Sequence, residues 1–381
     1  MQYRPYGRTG YKVSLLGMGC MRFPRFENGA ADREKALEMI RFAADHGINY
    51  FDSALTYHGG ASEEILGEGL AGIPRESVII ATKQPFFAMK TQADIRRNLE
   101  NTLKKLRTDY VDIYLIHNIN AGCWDAIKKR EIITEYEKFR GEGLIKAIAF
   151  SYHGGYDTFA EVLNGYDWDM CQVQHNFMDT DREVTLKGME LAGKKGCALA
   201  VMEPVNGGNL AKAPEKIKAV YDTARVKRAP VEWAFRYAAN FPQVSTVLSG
   251  MTTLGQLKEN IELFSRGDMT AGNLTDTDLA MLANVKAAYE SIVTIPCTGC
   301  EYCMPCPHNV KIPEVFDRYN TAKMFDMADP ARRTYMFITK AGGDASNCME
   351  CGLCEPKCPQ GIKIIDELKT AHELLKGWTE T

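Results

Sequence analysis

The chain has 381 residues, of which 45% are hydrophobic and 25% charged, and a net charge of −3; this leaves room for one large domain of about 250–300 residues and a small one. So even a charge balance supplies no basic surface for nucleic acid or for an anionic membrane. No apolar run approaches the ~20 residues that span a bilayer, and the opening MQYRPYGRTGYKVS lacks a signal-peptide core, so the expectation is a cytoplasmic protein with neither nucleic-acid nor membrane partners.

The segment Gln2–Val13 carries turn residues at Gly7 and Gly10 and reads as a hairpin. From about residue 12 to 264, strand and helix signals alternate. Strands are expected at Val13–Met18, Ile48–Phe51, Val78–Thr82, Tyr110–Ile116, Leu144–Phe150, Met170–Val173, Ala198–Met202 and Val244–Leu248. Amphipathic stretches such as Arg33–Asp45, Gln92–Leu106 and Asp181–Lys194 lie between them. Most of the strands are continuous apolar runs, as parallel strands covered on both faces are. Eight of them in this length predict a closed (β/α)8 TIM barrel over residues 1–290. An open doubly wound sheet is the alternative, but Gly17-Met18-Gly19-Cys20-Met21-Arg22 lacks the third glycine of a dinucleotide turn.

Near residue 290 the composition shifts. A helical stretch, Thr275–Ser291, gives way to Ile295-Pro296 and a cysteine-rich tail. Eight of the twelve cysteines lie there, in two blocks separated by 41 residues: Cys297, Cys300, Cys303 and Cys306, then Cys348, Cys351, Cys354 and Cys358. Helical signals at Pro313–Tyr319 and at Pro330–Lys340, behind an Asp329 cap, place a small α-helical domain at residues 291–381. The second block, C-x2-C-x2-C-x3-C-P, is the bacterial ferredoxin run. Zinc takes cysteines as paired C-x2-C knuckles instead. Two [4Fe-4S] clusters are therefore expected. Cys297, Cys300 and Cys303 would join Cys358 on one, and Cys348, Cys351 and Cys354 would join Cys306 on the other. The first block's last spacing is shortened by one residue, which makes Cys306 the least regular ligand. Clusters that only hold the tail together are the simpler alternative. No internal repeat beyond the strand–helix alternation is expected. Cys20, Cys123, Cys171 and Cys197 read as core thiols.

Within the barrel, Asp52, Lys83 and His117 end successive strands at intervals of 31 and 34 residues, one strand–helix unit each. All three then lie at the C-terminal rim, where barrel active sites sit, with Tyr57 on the loop after Asp52. Such a set suits carbonyl reduction with proton transfer. A charged lysine lowers a tyrosine's pKa, an aspartate keeps the lysine charged, and a histidine orients the carbonyl oxygen. A rim salt bridge with a satisfied histidine is the plain alternative.

Asn49-Tyr50-Phe51-Asp52-Ser53-Ala54, followed by Tyr57-His58-Gly59-Gly60-Ala61-Ser62-Glu63, resembles the aldo-keto reductase signature. So do Ile80-Ala81-Thr82-Lys83, Asp112-Ile113-Tyr114-Leu115-Ile116-His117, Val173-Gln174-His175-Asn176 and Val247-Leu248-Ser249-Gly250-Met251. The tail resembles that of the subgroup with a C-terminal, α-helical ferredoxin-like 4Fe-4S domain. The resemblance implies an oxidoreductase acting on a small-molecule carbonyl or alcohol, with Tyr57 as general acid among Asp52, Lys83 and His117. It further implies NAD(P)H held by Ser151, Gln174 and Met202 near the nicotinamide and by Ser249, Gly250, Met251, Glu259 and Asn260 near the adenosine phosphates. Gly250 and Gln256 stand where NADP-binding members carry basic residues, which weakens the basis for choosing NADPH. Clusters pass single electrons and nicotinamide passes hydride, so an FMN in its place, a ferredoxin or other redox partner, or structural clusters would reconcile the two. A barrel serving only as a docking scaffold for an electron carrier is the alternative from another class.

Overall fold

The computed structural model describes residues 1–26, 29–181 and 183–377. Arg182, inside the expected helix Asp181–Lys194, and residues 378–381 of the expected tail domain lie outside the described residues. The chain forms two compact units, residues 1–207 with 231–275, and residues 208–230 with 276–381.

In the first unit β1 (Tyr3–Pro5) and β2 (Lys12–Ser14) pair antiparallel as the expected hairpin. The expected first strand Val13–Met18 is therefore split. Val13 ends the hairpin, and the barrel begins at β3 (Leu16–Gly19). The break falls at Leu15, whose N–H donates to the Gln2 carbonyl instead of to a barrel neighbour. Then follow β4 (Tyr50–Asp52), β5 (Ile79–Pro85), β6 (Val111–Ile119), β7 (Ile145–Tyr152), β8 (Met170–Gln174), β9 (Ala198–Met202) and β10 (Val244–Ser249). These eight strands close in the order β10-β3-β4-β5-β6-β7-β8-β9. Every pair is parallel.

The period of two along a strand sorts the side chains into two cores. Tyr50, Ile79, Ala81, Ile113, Leu115, Met170, Ala198 and Ala200 fill the barrel interior. Phe51, Ile80, Tyr114, Ile116 and Leu199 face the surrounding helices. Tyr6, from the hairpin, enters the interior from below and meets the Tyr50 hydroxyl at 2.8 Å. Gly7 follows at φ +52, and a Cβ there would meet the Ala198 nitrogen at 2.6 Å, so only glycine lets the hairpin sit this close.

Two of the helices beside the site start on side-chain caps. The Asp32 carboxylate accepts from Lys35 N–H to open Arg33–Asp45. Thr91 and Asp94 form a reciprocal capping box before Gln92–Leu106, which stops at the left-handed Arg107. The helix expected over Asp181–Lys194 begins later, at Thr185, and ends at Lys194.

The second unit is helical. Ile312–Phe325, Ala328–Lys340 and Ile364–Leu375 enclose a core of Ile295, Ile312, Val315, Phe316, Tyr335, Ile364 and Leu368, and Asp276–Glu290 packs on the short helix Glu215–Tyr221. Asn320 clamps the entering chain, donating to the Ile295 carbonyl at 2.7 Å and accepting from its N–H at 3.2 Å. Asp329 does not cap its helix as expected. The helix starts two residues earlier, at Ala328, and Asp329 pairs with Arg332 within the first turn. Among the described residues no helix is long and apolar enough to cross a membrane.

Candidate active site

The inward-facing rows of β4, β5 and β6 end in polar residues. Asp52 lies two residues beyond Tyr50, Lys83 two beyond Ala81, and His117 two beyond Leu115. The same alternation that fills the barrel with apolar side chains therefore brings these three to its C-terminal mouth. Lys83 Nζ donates to Asp52 Oδ1 at 2.5 Å, to the Ser53 carbonyl at 2.7 Å and to Tyr57 Oη at 3.4 Å. Lys83 and Asp52 are 1% and 3% exposed. Charges so enclosed persist only when paired and hydrogen-bonded. The edge of the His117 ring meets the Tyr57 ring at 82°, with centroids 5.8 Å apart.

Burial and neighbouring charges shift the four groups differently, and burial raises the Asp52 carboxyl against the pull of Lys83. Burial alone would lower the Lys83 pKa, but Asp52 and Tyr57 more than offset it and hold the ammonium charged. Burial, reinforced by Lys83 and His153, pushes His117 down to about 3, so its imidazole is neutral. The Tyr57 phenol departs from the expectation of a lowered pKa. Burial raises it, and Lys83 offsets only part of that rise.

Tyr57 is fixed by its loop. Ser53 N–H and Leu55 N–H donate to carbonyls of Ala81 and Lys83 on β5. The Ser53 and Ser62 hydroxyls meet at 2.9 Å. His58, Gly59 and Gly60 all take positive φ, and Lys105 Nζ holds the Gly60 carbonyl at 2.9 Å. His58 stacks on Phe23 and accepts its N–H at 3.2 Å.

The remaining expected binding residues occupy the next strand ends. Ser151 ends β7 and accepts from Asn118 N–H at 2.8 Å. Gln174 ends β8, with its amide nitrogen donating to Asp179 at 2.7 Å. Met202 ends β9, half-buried. Ser249, at the end of β10, accepts from Asn260 at 3.2 Å. Met251 is buried in the outer core, and Glu259 is exposed on the helix Leu254–Ser265. That helix opens on Thr253, which caps Gln256 N–H, while Gln256 Oε1 accepts from Thr252 N–H at 2.8 Å.

Three rim residues were not expected. Arg22 pairs with Glu203 at 3.6 Å and lies against Gly250, where a Cβ would meet its Cδ at 3.0 Å. It thus spans the ends of β3, β9 and β10. Asp179 fixes Gln174 and Asn176 together. Lys105 tethers the Tyr57 loop. Arg22 closes the Gly17–Arg22 run that drew attention only for its glycines; nothing in the sequence marks Asp179 or Lys105.

In the second unit the eight tail cysteines line two hollows. Cys297, Cys300, Cys303 and Cys358 border one, with Ile312, Phe316 and Ile364. Cys306, Cys348, Cys351 and Cys354 border the other, with Cys303 at its edge. The sets are those expected from spacing, Cys306 included. Among the described residues no three His, Cys, Asp or Glu side chains converge as a single metal ion requires.

The expectation of no internal repeat is corrected here. Cys306-Pro307-His308-Asn309-Val310-Lys311-Ile312 matches Cys358-Pro359-Gln360-Gly361-Ile362-Lys363-Ile364, and a helix starts at each isoleucine. Positive φ recurs on both sides of the central cysteine, at Gly299 and Glu301 and at Glu350 and Gly352, and again at Asn309 and Gly361. At Gly299/Glu350, Glu301/Gly352 and Asn309/Gly361 the shared backbone conformation is carried by different residue types.

Residues 15–278 match the model of the aldo/keto reductase family, and residues 296–362 match that of a 4Fe-4S dicluster domain. The chain is 28% identical over 282 residues to an L-galactose dehydrogenase of Arabidopsis thaliana, covering 68% of this chain and 87% of the relative. It is 24% identical over 341 residues to an NADH-specific methylglyoxal reductase of Escherichia coli, covering 76% and 100%. The holo form of the aldo-keto reductase AKR11C1 from Bacillus halodurans superposes with a TM-score of 0.63 at 25% identity, covering 75% of this chain and 96% of that one.

Proposed function

The chain belongs to the aldo/keto reductase family and is an oxidoreductase with a 4Fe-4S dicluster domain, and we propose that it interconverts a small-molecule carbonyl and its alcohol with Tyr57 as the proton donor and acceptor. One observation carries this reading: a charged Lys83, enclosed with Asp52, stands 3.4 Å from the Tyr57 hydroxyl, beside a neutral His117. In the reducing direction the Tyr57 phenol gives its proton to the carbonyl oxygen as negative charge develops there. Lys83 stabilises the phenolate left behind, and Asp52 keeps Lys83 charged and aimed. His117, neutral, donates to the same oxygen and orients it. In the oxidising direction the Tyr57 phenolate takes the alcohol proton.

The donor set at the next strand ends fits a nicotinamide. Its carboxamide needs an acceptor and a donor. The Gln174 carbonyl offers the first, because Asp179 occupies the amide nitrogen. The Ser151 hydroxyl, whose oxygen already accepts from Asn118, offers the second. Met202 would pack against the ring, Ser249, Gly250, Met251, Glu259 and Asn260 would flank the phosphates and adenosine, and the bound dinucleotide supplies the hydride. Gly250 and Gln256 supply no basic side chain for a 2′-phosphate, so NADH is as open to this site as NADPH.

The two cysteine hollows fit a cubane each, four thiolates to a hollow in an apolar setting. Residues 291–381 then form an electron-carrying domain that exchanges single electrons with a ferredoxin or other carrier protein. Hydride and single electrons interconvert only through a mediator such as a flavin, so FMN at the barrel mouth is the form of the site that lets the two units work on one reaction. The test is a screen of carbonyls and alcohols with Tyr57→Phe beside the native protein. Turnover that survives Tyr57→Phe unchanged leaves the barrel a scaffold and overturns the proposal.

A further inference from the structure

We infer that the two cysteine hollows are electrostatically unequal, and that Lys357 makes the hollow of Cys306, Cys348, Cys351 and Cys354 the site of higher reduction potential, where the first electron settles; the inference rests on the reading of both hollows as [4Fe-4S] sites.

The duplication supplies the comparison. The segment Cys303-Met304-Pro305-Cys306 corresponds to Cys354-Glu355-Pro356-Lys357-Cys358, so Lys357 ends the segment that is one residue longer. It lines the hollow of Cys306, Cys348, Cys351 and Cys354. His308 lines that hollow also, whereas its counterpart Gln360 lines the other. The other hollow carries Glu301, whose counterpart across the repeat is Gly352. The second loop has its own glutamate, Glu350, but Lys369 neutralises it at 2.8 Å.

Charges a little farther out reduce the inequality without reversing it. Asp317 acts on Cys297 of the first hollow and is paired with Arg318 at 3.1 Å. In the second, Glu355 acts on Cys354, and Lys369, beside Cys348, is already paired with Glu350. The first hollow thus keeps a net anion, Glu301, whereas in the second Lys357 stands against Glu355 and brings it near balance. Reduction adds one negative charge to a cluster, so a nearby cation favours the reduced form and a nearby anion the oxidised form. The Glu301 and Lys357 side chains are both exposed, and salt screens their effect.

Full-length protein prepared without oxygen, with iron counted, is titrated with dithionite against redox mediators and followed by electron paramagnetic resonance. Two one-electron steps at separate midpoints are expected. Lys357→Met lowers the higher midpoint and narrows the gap, Lys357→Arg retains it, and Glu301→Gln raises the lower midpoint. Added salt also narrows the gap. Two clusters reduced at one midpoint, or a Lys357→Met protein with both midpoints unmoved, overturns the inference and leaves the two-cluster reading standing. Iron for a single cluster overturns the two-cluster reading itself. Glu301→Gln probes the inequality independently, should Lys357→Met assemble poorly beside Cys358.

Discussion

The Lys83 ammonium stands 3.4 Å from the Tyr57 hydroxyl, at the long end of hydrogen-bond range, while the same nitrogen is 2.5 Å from Asp52. Lys83 is thus committed first to the aspartate and only loosely to the phenol. A contact of that kind strengthens when the phenol becomes a phenolate, which is when catalysis needs it.

Tyr57→Phe removes the proton donor but keeps the ring against His117. The rate of the chemical step is expected to fall by about 10²–10⁴-fold, with substrate affinity changed little. Single-turnover kinetics with any substrate found by screening measure the two separately.

Asp52→Ala leaves the Lys83 ammonium buried without its counter-ion. Breaking such a pair costs about 3–5 kcal/mol. Urea unfolding of the barrel should show a loss of that size, and Asp52→Asn, which retains hydrogen bonding, a smaller one.

Reduction needs Tyr57 protonated, and burial holds its pKa above the ordinary phenol value. His117, pushed down to about 3, stays neutral throughout the usual range. The rate of reduction is therefore expected to be level from pH 5 to 8 and to fall only at alkaline pH, with oxidation rising there. A break near pH 6.5 that Tyr57→Phe leaves in place would assign the titration to another group.

His175 gives a second pH dependence, this one in stability. It is 1% exposed and stacked on Tyr237 with centroids 5.2 Å apart, and burial pushes it down to about 4. An unfolded histidine titrates near 6.5. Between those values the unfolded chain binds the extra proton, so the stabilising share is full above pH 6.5 and is lost as pH falls towards 4. His175→Phe keeps the stack and removes the titration. The difference in stability between the two proteins should then change by on the order of 2–3 kcal/mol across that window.

Lys105 lies away from the reacting atoms but holds the Gly60 carbonyl in a loop of three consecutive positive-φ residues. Lys105→Met should lower turnover severalfold with the pH profile unchanged, since the same phenol still titrates. A displaced profile would show that Lys105 acts by charge instead of by position.

Much of this was legible in the sequence because periodicity carried it. Strand ends one strand–helix unit apart put Asp52, Lys83 and His117 at one rim, and the cysteine spacing divided the eight thiols as they line the two hollows. What escaped depends on contacts distant in sequence. The split at Leu15 follows from a hydrogen bond to Gln2, and the hold on the Tyr57 loop from Lys105, 45 residues beyond Gly60. The rise in the Tyr57 pKa is likewise a matter of enclosure, which a list of neighbouring charges does not convey. The tail's duplication was there to be read, in C-x2-C-x2-C followed by Cys-Pro and Lys-Ile in both blocks, but the one-residue difference before the last cysteine and the exchange of glycine and glutamate at matching positions put it out of register.

The account stands most directly on what the protein contains when purified without oxygen. Iron, acid-labile sulfide and any released nicotinamide or flavin are measured per chain. Two cubane clusters predict about eight iron and eight sulfide, with a dinucleotide or FMN bound at the barrel mouth. Zinc in place of iron, or about four iron per chain, would contradict it.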